Sequence, residues 1–115
     1  MNISKILEEL RGKGYVIEEH VPITGVSGLV HLFRIVVWSR EKPLAVSVYD
    51  EITIEAVIDI AAKHVDVRKS QIIVYDKASP YILKLFKSSV KILAVKPGEL
   101  VETVEKVLGR SKDGD

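Results

Sequence analysis

The sequence predicts an α/β protein, a three-layer sandwich in which a mixed central sheet lies between helices. Three features indicate this class: apolar residues recur at helical spacing in several stretches, β-branched residues fill other stretches on both faces, and the two kinds alternate along the second half of the chain. The chain has 115 residues and no cysteine. We therefore expect one domain over residues 1–109, with a core that needs no disulfide, followed by a disordered tail over residues 110–115.

The first helix and the first strand follow from a change of periodicity. Within residues 3–10, apolar side chains fall at i, i+3, i+4 and i+7, and Gly12 ends this helix. Residues 15–23 have an extended pattern instead, and Pro22 limits them to an edge strand or to the end of a strand.

A turn and a β-hairpin are predicted next. Gly25 and Gly28 supply the positive φ angles that a tight turn needs. Residues 29–38 and 44–49 are β-branched and apolar on both faces, and the polar residues 39–43 connect them. We therefore expect a central hairpin with a five-residue loop.

The second half of the chain alternates helices and strands. Apolar residues at spacings of 3, 4, 7, 8 and 11 form the clearest helical stripe in the sequence. The stripe consists of Ile54, Val57, Ile58, Ala61, Ala62 and Val65. Strands are predicted over residues 71–75 and 90–95. Ser79 caps a short helix over residues 80–87, and an apolar stripe predicts a last helix over Leu100–Leu108, so the element order is α-β-β-β-α-β-α-β-α. The stripe of the last helix consists of Leu100, Val101, Val104, Val107 and Leu108.

Composition and motifs exclude several classes of protein. No Walker loop, dinucleotide fingerprint, HExxH motif or GxSxG motif occurs. The 17 Lys and Arg nearly balance the 16 Asp and Glu, so overall charge does not favour nucleic-acid binding. No apolar run approaches the ~20 residues of a membrane helix. The first residues include acidic side chains, where a signal peptide would have an uncharged apolar stretch. We expect a cytoplasmic protein with no membrane partner, and the scarcity of side-chain amides indicates a thermophilic source.

The three histidines do not predict a metal site, because none has a second ligand at metal-binding spacing. His64 falls at the end of a predicted helix, where its ring complements the helix dipole. His31 lies early in a central strand, on a face that alternation assigns also to Phe33 and Ile35, and it needs a polar partner there. We expect that partner to be the turn at residues 25–28.

The glycine turn and the strand after it resemble a known family. Residues 25–35 read Gly-Val-Ser-Gly-Leu-Val-His-Leu-Phe-Arg-Ile and follow a helix and a strand. This stretch resembles the core of Mrr-type restriction-endonuclease-like proteins of the PD-(D/E)XK superfamily, to which the archaeal Holliday-junction resolvases also belong. The resemblance covers residues 3–95 and implies a restriction-endonuclease-like αβββαβ core, to which this chain adds an αβα extension.

The resemblance also implies where catalytic residues should lie, and this chain lacks them. In the superfamily, an aspartate on the second core strand and an E-x-K pair on the third hold a divalent metal and orient the attacking water. Here Arg34 stands at the aspartate position, Ser47 at the glutamate position and Tyr49 at the lysine position. We therefore expect no catalytic residues and no metal. The alternative is a Mg²⁺ site built from migrated ligands, namely Glu9, Glu19 and Asp50.

Arg34 is the most informative of these positions. Strand alternation and the short hairpin loop predict that it lies opposite Ser47. Its guanidinium can bind a phosphate in bidentate fashion, or it can form an ion pair with Glu9, Glu18 or Glu19. The sequence leaves both possibilities open.

The favoured hypothesis is a catalytically inactive nuclease-fold protein that binds nucleic acid or a protein partner in DNA metabolism. The partner would be DNA or a protein such as an active nuclease or repair enzyme. The candidate nucleic-acid-binding residues are Arg34, Ser47, Tyr49, Ser27, His31, Lys63, Arg68 and Lys69. The alternatives are a metal-dependent endonuclease with the migrated ligands and a structural homo-oligomer, such as a homodimer, with Trp38 in its interface.

Overall fold

The structure is a computed structural model that describes residues 2–87, 89 and 91–109. It contains a five-stranded sheet in the order β1-β2-β3-β4-β5, in which β1, β2 and β3 are antiparallel and β3, β4 and β5 are parallel. The elements are α1 (Ser4–Gly12), β1 (Val16–Thr24), β2 (Val30–Ser39), β3 (Lys42–Glu51), α2 (Ile54–Val67), β4 (Gln71–Lys77), α3 (Pro80–Phe86), β5 (Ile92–Val95) and α4 (Leu100–Leu108). The predicted α/β class and element order are confirmed. The predicted tail over residues 110–115 and residue 90 of the predicted fifth strand lie outside the described residues.

Helices cover both faces of this mixed sheet. On the face that we call the α1 face, α1 and α4 pack against alternate residues of β2, β3 and β4, including Ile35, Val46 and Ile72. On the opposite face, the α2 face, α2 and α3 pack against residues such as Ile73 and Ile92. The sheet is therefore apolar on both sides at its centre, as the β-branched composition predicts.

The hairpin between β2 and β3 is tighter than predicted. Ser39 pairs with Lys42, so only Arg40 and Glu41 form the turn, and the expected five-residue loop is wrong. Arg40 has a φ angle of 58°, which completes this short turn without a glycine. The side-chain pattern could not reveal this, since Arg40 carries no sequence signal for positive φ.

The rotation of α2 differs from what its apolar stripe would suggest. Its buried residues are Ala56, Ile60, Lys63 and Asp66, which lie on the side that faces the sheet. Most of the stripe that predicts the helix, from Ile54 to Val65, is exposed instead. The stripe correctly predicts that this segment is helical, but it marks the outward side.

The side-chain alternation of β2 reverses at Arg34. Phe33 packs on the α2 face, whereas Ile35 packs on the α1 face. In a regular strand, two residues that lie two positions apart share a face. Opposite this point, His20 of β1 has a φ angle of 56°, and the ladder on either side keeps one register. The predicted common face for His31, Phe33 and Ile35 is therefore wrong, because a local reversal in both strands separates Ile35 from the other two.

Candidate functional site

The reversal at Arg34 opens a groove between α1 and the β1–β2 pair. The groove has a volume of about 340 Å³. Its lining residues come from α1, from the residues just before it and from the two strands: Asn2, Ile3, Ser4, Leu7, Glu8, Arg11, Glu19, Arg34 and Ile35. Arg34 and Ile35 are neighbours in a strand, and both line the groove, which is possible because alternation fails at this point.

Arg34 is the exposed cation of this groove that has no partner among the described residues. The expected ion pairs with Glu9, Glu18 or Glu19 are absent within the described part of the chain. Glu19 instead lies 3.6 Å from Arg11, and Glu18 accepts a hydrogen bond of 2.8 Å from the indole nitrogen of Trp38. The guanidinium of Arg34 is thus available to a ligand.

The side chains of Arg34 and Ser47 lie on opposite faces of the sheet. The ladder between β2 and β3 ends at the pair of Ile35 and Val46, one residue before these two would pair. Ser47 is buried and follows Ala45, which packs on the α2 face, while Arg34 lines the groove on the α1 face. The ladder thus has the predicted register, but the reversal in β2 turns the side chain of Arg34 to the face opposite Ser47.

Tyr49 takes part in a polar network on the α2 face. Its hydroxyl donates to Asp59 over 3.2 Å, and the ammonium of Lys63 lies 2.9 Å from the same carboxylate. Burial, and then the charge of Asp59, raise the pKa of Tyr49 above its ordinary value. Lys63 is buried and lies 4.9 Å from the centre of the Phe33 ring, so it supports the core and cannot reach a surface phosphate.

Ser27 and His31 both form hydrogen bonds with the carboxylate of Asp66. The Asp66 carboxylate accepts from the amide of Ser27 (2.7 Å) and from its hydroxyl (2.7 Å), and it lies 2.6 Å from Nε2 of His31. These bonds, that of His31 first, lower the pKa of Asp66. The prediction that His31 bonds directly to the turn is wrong. Asp66 lies between them and binds both His31 and Ser27 of the turn.

This trio of residues is a structural clamp rather than a nucleophilic site. In a catalytic triad the histidine lies between the hydroxyl and the carboxylate. Here the hydroxyl of Ser27 and the ring of His31 both bind the carboxylate of Asp66. The amide of Val26 also donates to the carbonyl of Asp66 over 2.9 Å, and a side chain at Gly25 would overlap the Asp66 carboxylate. Together these contacts fix the turn before β2 to the last turn of α2.

The remaining candidates are spread over the surface. Arg68 is exposed and ends α2 with a φ angle of 62°, and Lys69 is half-buried beside it. Trp38 is half-buried, packs near Phe33 and donates to Glu18. These three residues do not line the Arg34 groove.

The acidic residues that the structure describes do not assemble into a metal centre. Within residues 2–87, 89 and 91–109, no three His, Asp or Glu side chains come together in a way that could hold a metal ion. The proposed migrated ligands Glu9, Glu19 and Asp50 are all exposed and are not brought together. Among the described residues, no helix has the length and apolar character needed to cross a membrane.

The sequence analysis missed the residues that organise the clamp at the end of α2 and the Arg34 groove. Asp66 was not predicted, because its partners lie 35 and 39 residues away along the chain. The pair of Asp59 and Lys63 had a detectable signal, since opposite charges four residues apart share one side of a helix. The groove residues of α1 had none, because the reversal in β2 that exposes Arg34 to them has no sequence signature.

The fold and the groove define an α/β protein with a surface site centred on the guanidinium of Arg34, which has no partner within the described part of the chain. The chain is 33% identical over 86 residues to an uncharacterized protein of Archaeoglobus fulgidus, in a match that covers 74% of this chain and 67% of that protein. The chain therefore belongs to the same family as that archaeal protein. No family model matches the chain.

A solved structure shares the fold. It is described as a protein of unknown function, AF1548, and it matches with a TM-score of 0.64 at 14% sequence identity. The match covers 93% of this chain and 65% of that chain, so this chain spans slightly less than two thirds of its length. At this identity the likeness concerns the fold alone.

Proposed function

We propose that this protein is a nucleic-acid-binding module with a restriction-endonuclease-like core of the PD-(D/E)XK type and without that superfamily's catalytic centre. The observation that carries the proposal is the exposed guanidinium of Arg34 in the groove beside α1, which is unpaired among the residues that the structure describes. The order of three antiparallel strands, a helix and a parallel strand supports the proposed core.

The groove suits a single phosphate. A guanidinium binds phosphate oxygens in bidentate fashion. The N-terminal end of α1 lies at the same groove through Asn2 and Ser4, and it adds the positive end of a helix dipole. The carboxylates of Glu8 and Glu19 also line the groove, so we expect one phosphate contact rather than a continuous basic track.

Loss of catalysis is the second part of the proposal. The three positions that correspond to the catalytic residues hold Arg34, Ser47 and Tyr49, of which only Arg34 points into the groove. A guanidinium can neutralise a phosphate but cannot lower the pKa of a bound water as a metal ion does. Because it would lack catalysis of its own, the protein would act together with an active nuclease or repair enzyme. The proposal also places it in the cytoplasm.

The test is a fluorescence anisotropy titration of labelled duplex, single-stranded and four-way-junction DNA at low and moderate salt, with Mg²⁺ present. Arg34→Gln removes the guanidinium, and we expect it to weaken binding about 5- to 100-fold and to reduce the salt slope by about one phosphate. Arg40→Gln is the matched control, since Arg40 is an exposed arginine at the hairpin turn, outside the groove. We expect it to change affinity less than about twofold at low salt.

Two results would contradict the proposal. DNA binding that is equal in wild type and Arg34→Gln would remove Arg34 from the site. Cleavage of the DNA in the same samples, lost in Glu9→Ala, would instead establish the metal-dependent endonuclease with migrated ligands.

A further inference from the structure

The outward side of α2 carries a line of apolar side chains that no described residue covers. Ile54 and Ile58 are each 64% exposed, Val65 is 72% exposed, and Ala61 between them is also exposed. Their spacing of four, three and four residues places all four along one line of the helix surface. We call these four residues the outward stripe.

This exposure is unusual for a surface helix. Such a helix ordinarily presents charged residues to water, and monomeric proteins rarely expose contiguous apolar patches larger than a few hundred Å². The opposite side of α2 faces the sheet, where Ile60 is fully buried and Asp66 is clamped to the turn before β2. The stripe therefore has the character of a surface that another molecule covers.

The apolar surface extends beyond the helix at one end. The amide of Val26 binds the carbonyl of Asp66, which brings the turn before β2 to the C-terminal end of α2. Val26 and Leu29 in this turn are both exposed. The patch is thus larger than the outward stripe alone, as an interface between folded subunits requires.

The two ends of the stripe carry opposite charges. Glu51 and Glu55 are exposed at the N-terminal end of α2, while Arg68 is exposed and Lys69 half-exposed at its C-terminal end. A second α2 laid antiparallel on the first would bring each acidic end to a basic end, and the helix dipoles would also be opposed favourably. A parallel arrangement would place like charges together. The charge pattern thus fits a second copy of this chain in one orientation.

We infer that the outward stripe is the interface of a two-fold symmetric homodimer in which two α2 helices pack antiparallel. In the register that matches the apolar side chains, Ile54 lies opposite Val65 of the partner subunit. The same register places Glu51 near Arg68 of the partner subunit. Because the interface is isologous, each of these contacts occurs twice. The inference does not depend on the proposed function, since the Arg34 groove lies on the other face of the sheet and stays open in the dimer.

Sedimentation equilibrium across the micromolar range tests the interface. Ile58 lies near the two-fold axis, so Ile58→Glu places two buried carboxylates close together, and we expect the dimer dissociation constant to rise at least about a hundredfold. Leu32→Glu is the matched control, because Leu32 is a 59% exposed apolar residue of β2 away from α2. We expect this variant to remain a dimer with wild-type affinity. Circular dichroism establishes that both variants are folded.

A charge exchange tests the orientation without touching the apolar core of the interface. Glu51→Arg alone places two arginines together at each end of the interface, and we expect the dissociation constant to rise about tenfold. Combining it with Arg68→Glu restores opposite charges, and we expect the double variant to regain most of the lost affinity. Recovery of this kind requires the antiparallel register.

A wild-type protein that sediments as a monomer at high micromolar concentration would overturn the inference. A dimer that survives Ile58→Glu, or one that Leu32→Glu dissociates, would also overturn it, because the interface would then lie elsewhere. Failure of the charge exchange to recover affinity would exclude the antiparallel register even if the Ile58→Glu variant did not fold.

Discussion

The helices α2 and α4 are both predicted by apolar periodicity, yet they bury opposite sides of their patterns. In α4 the buried residues Leu100, Val104 and Leu108 belong to the predicting stripe. In α2 the stripe from Ile54 to Val65 is mostly exposed, and Ile60 lies in the core instead. The difference arises because α4 has charged residues on its outer side, whereas α2 has apolar residues on both sides.

The side of α2 that faces the sheet combines the buried Ile60 with several polar contacts. Asp66 binds Ser27 and His31, and Lys63 binds Asp59 above the Phe33 ring. These contacts are possible only when the outward stripe faces away from the sheet. In a helix with two apolar sides, contacts of this kind distinguish the buried side from the outward one.

Matched truncations on the two sides of α2 give the largest expected difference. Ile60→Ala removes a fully buried side chain, and we expect a loss of about 3 to 4 kcal/mol in the free energy of unfolding. Ile58→Ala removes a side chain that is mostly in water, and we expect a change below about 0.5 kcal/mol in the monomer. Urea denaturation at low protein concentration measures both. Equal losses would mean that α2 does not have the rotation described above.

The clamp at the end of α2 is tested next by a glycine substitution. In Gly25→Ala the new methyl group overlaps the Asp66 carboxylate, so the turn or the carboxylate must move. We expect a loss of about 2 kcal/mol, in the range of overpacked sites. Gly12→Ala, where a methyl group meets no neighbour within 4 Å, is the control in the same urea experiment. An unchanged Gly25→Ala variant would show that the close packing of turn and helix is absent.

The charge of Asp66 should make the clamp depend on pH. Its pKa lies below the ordinary value of 3.8, first because of His31 and then because of Ser27. The contribution to stability is therefore present above that ordinary value and is lost as pH falls through the lower pKa of the folded state. Asp66→Asn should melt at a lower temperature than wild type at neutral pH, and the gap should close in acid. Melting curves at stepped pH measure this gap, and a gap that stays constant would contradict a role for the charge.

The ion pair of the buried Lys63 with the exposed Asp59 should contribute the least. Lys63→Met keeps the aliphatic stem that packs near Phe33 and removes the ammonium, so we expect a change within about 1 kcal/mol of wild type. Lys63→Ala also removes the stem, and we expect a loss of about 2 kcal/mol. Urea denaturation distinguishes the two variants. A large loss in Lys63→Met would mean that the charge itself holds α2 in place.

Local signals predicted the elements well. The Ser79 cap is confirmed, since its hydroxyl accepts from the amide of Ile82 over 3.2 Å and Pro80 begins α3. The stripe of α4 is confirmed in both position and buried side. These features depend on residues within one or two turns, so a single sequence contains the information that they need.

Features that depend on distant partners were not predictable in the same way. The reversal at Arg34 lies opposite a positive φ angle at His20 in the neighbouring strand, and a single histidine is only a weak signal for such an angle. The face of Arg34, its lack of a partner in the described chain and the separation from Ser47 all follow from that reversal. The resemblance identified Arg34 as the position of interest, but only the tertiary structure shows what surrounds it.

Amide chemical-shift mapping by NMR tests the central claim most directly. A short single-stranded oligonucleotide is titrated into isotope-labelled protein at low salt. The same strand annealed to its complement is titrated separately as a duplex. The largest shifts should fall on Ser4, Arg11 and Arg34 around the groove, and in Arg34→Gln they should be smaller at the same oligonucleotide concentration. Shifts centred on Arg68 and Lys69 instead, or no shifts with either form of DNA, would contradict binding of nucleic acid through the Arg34 groove.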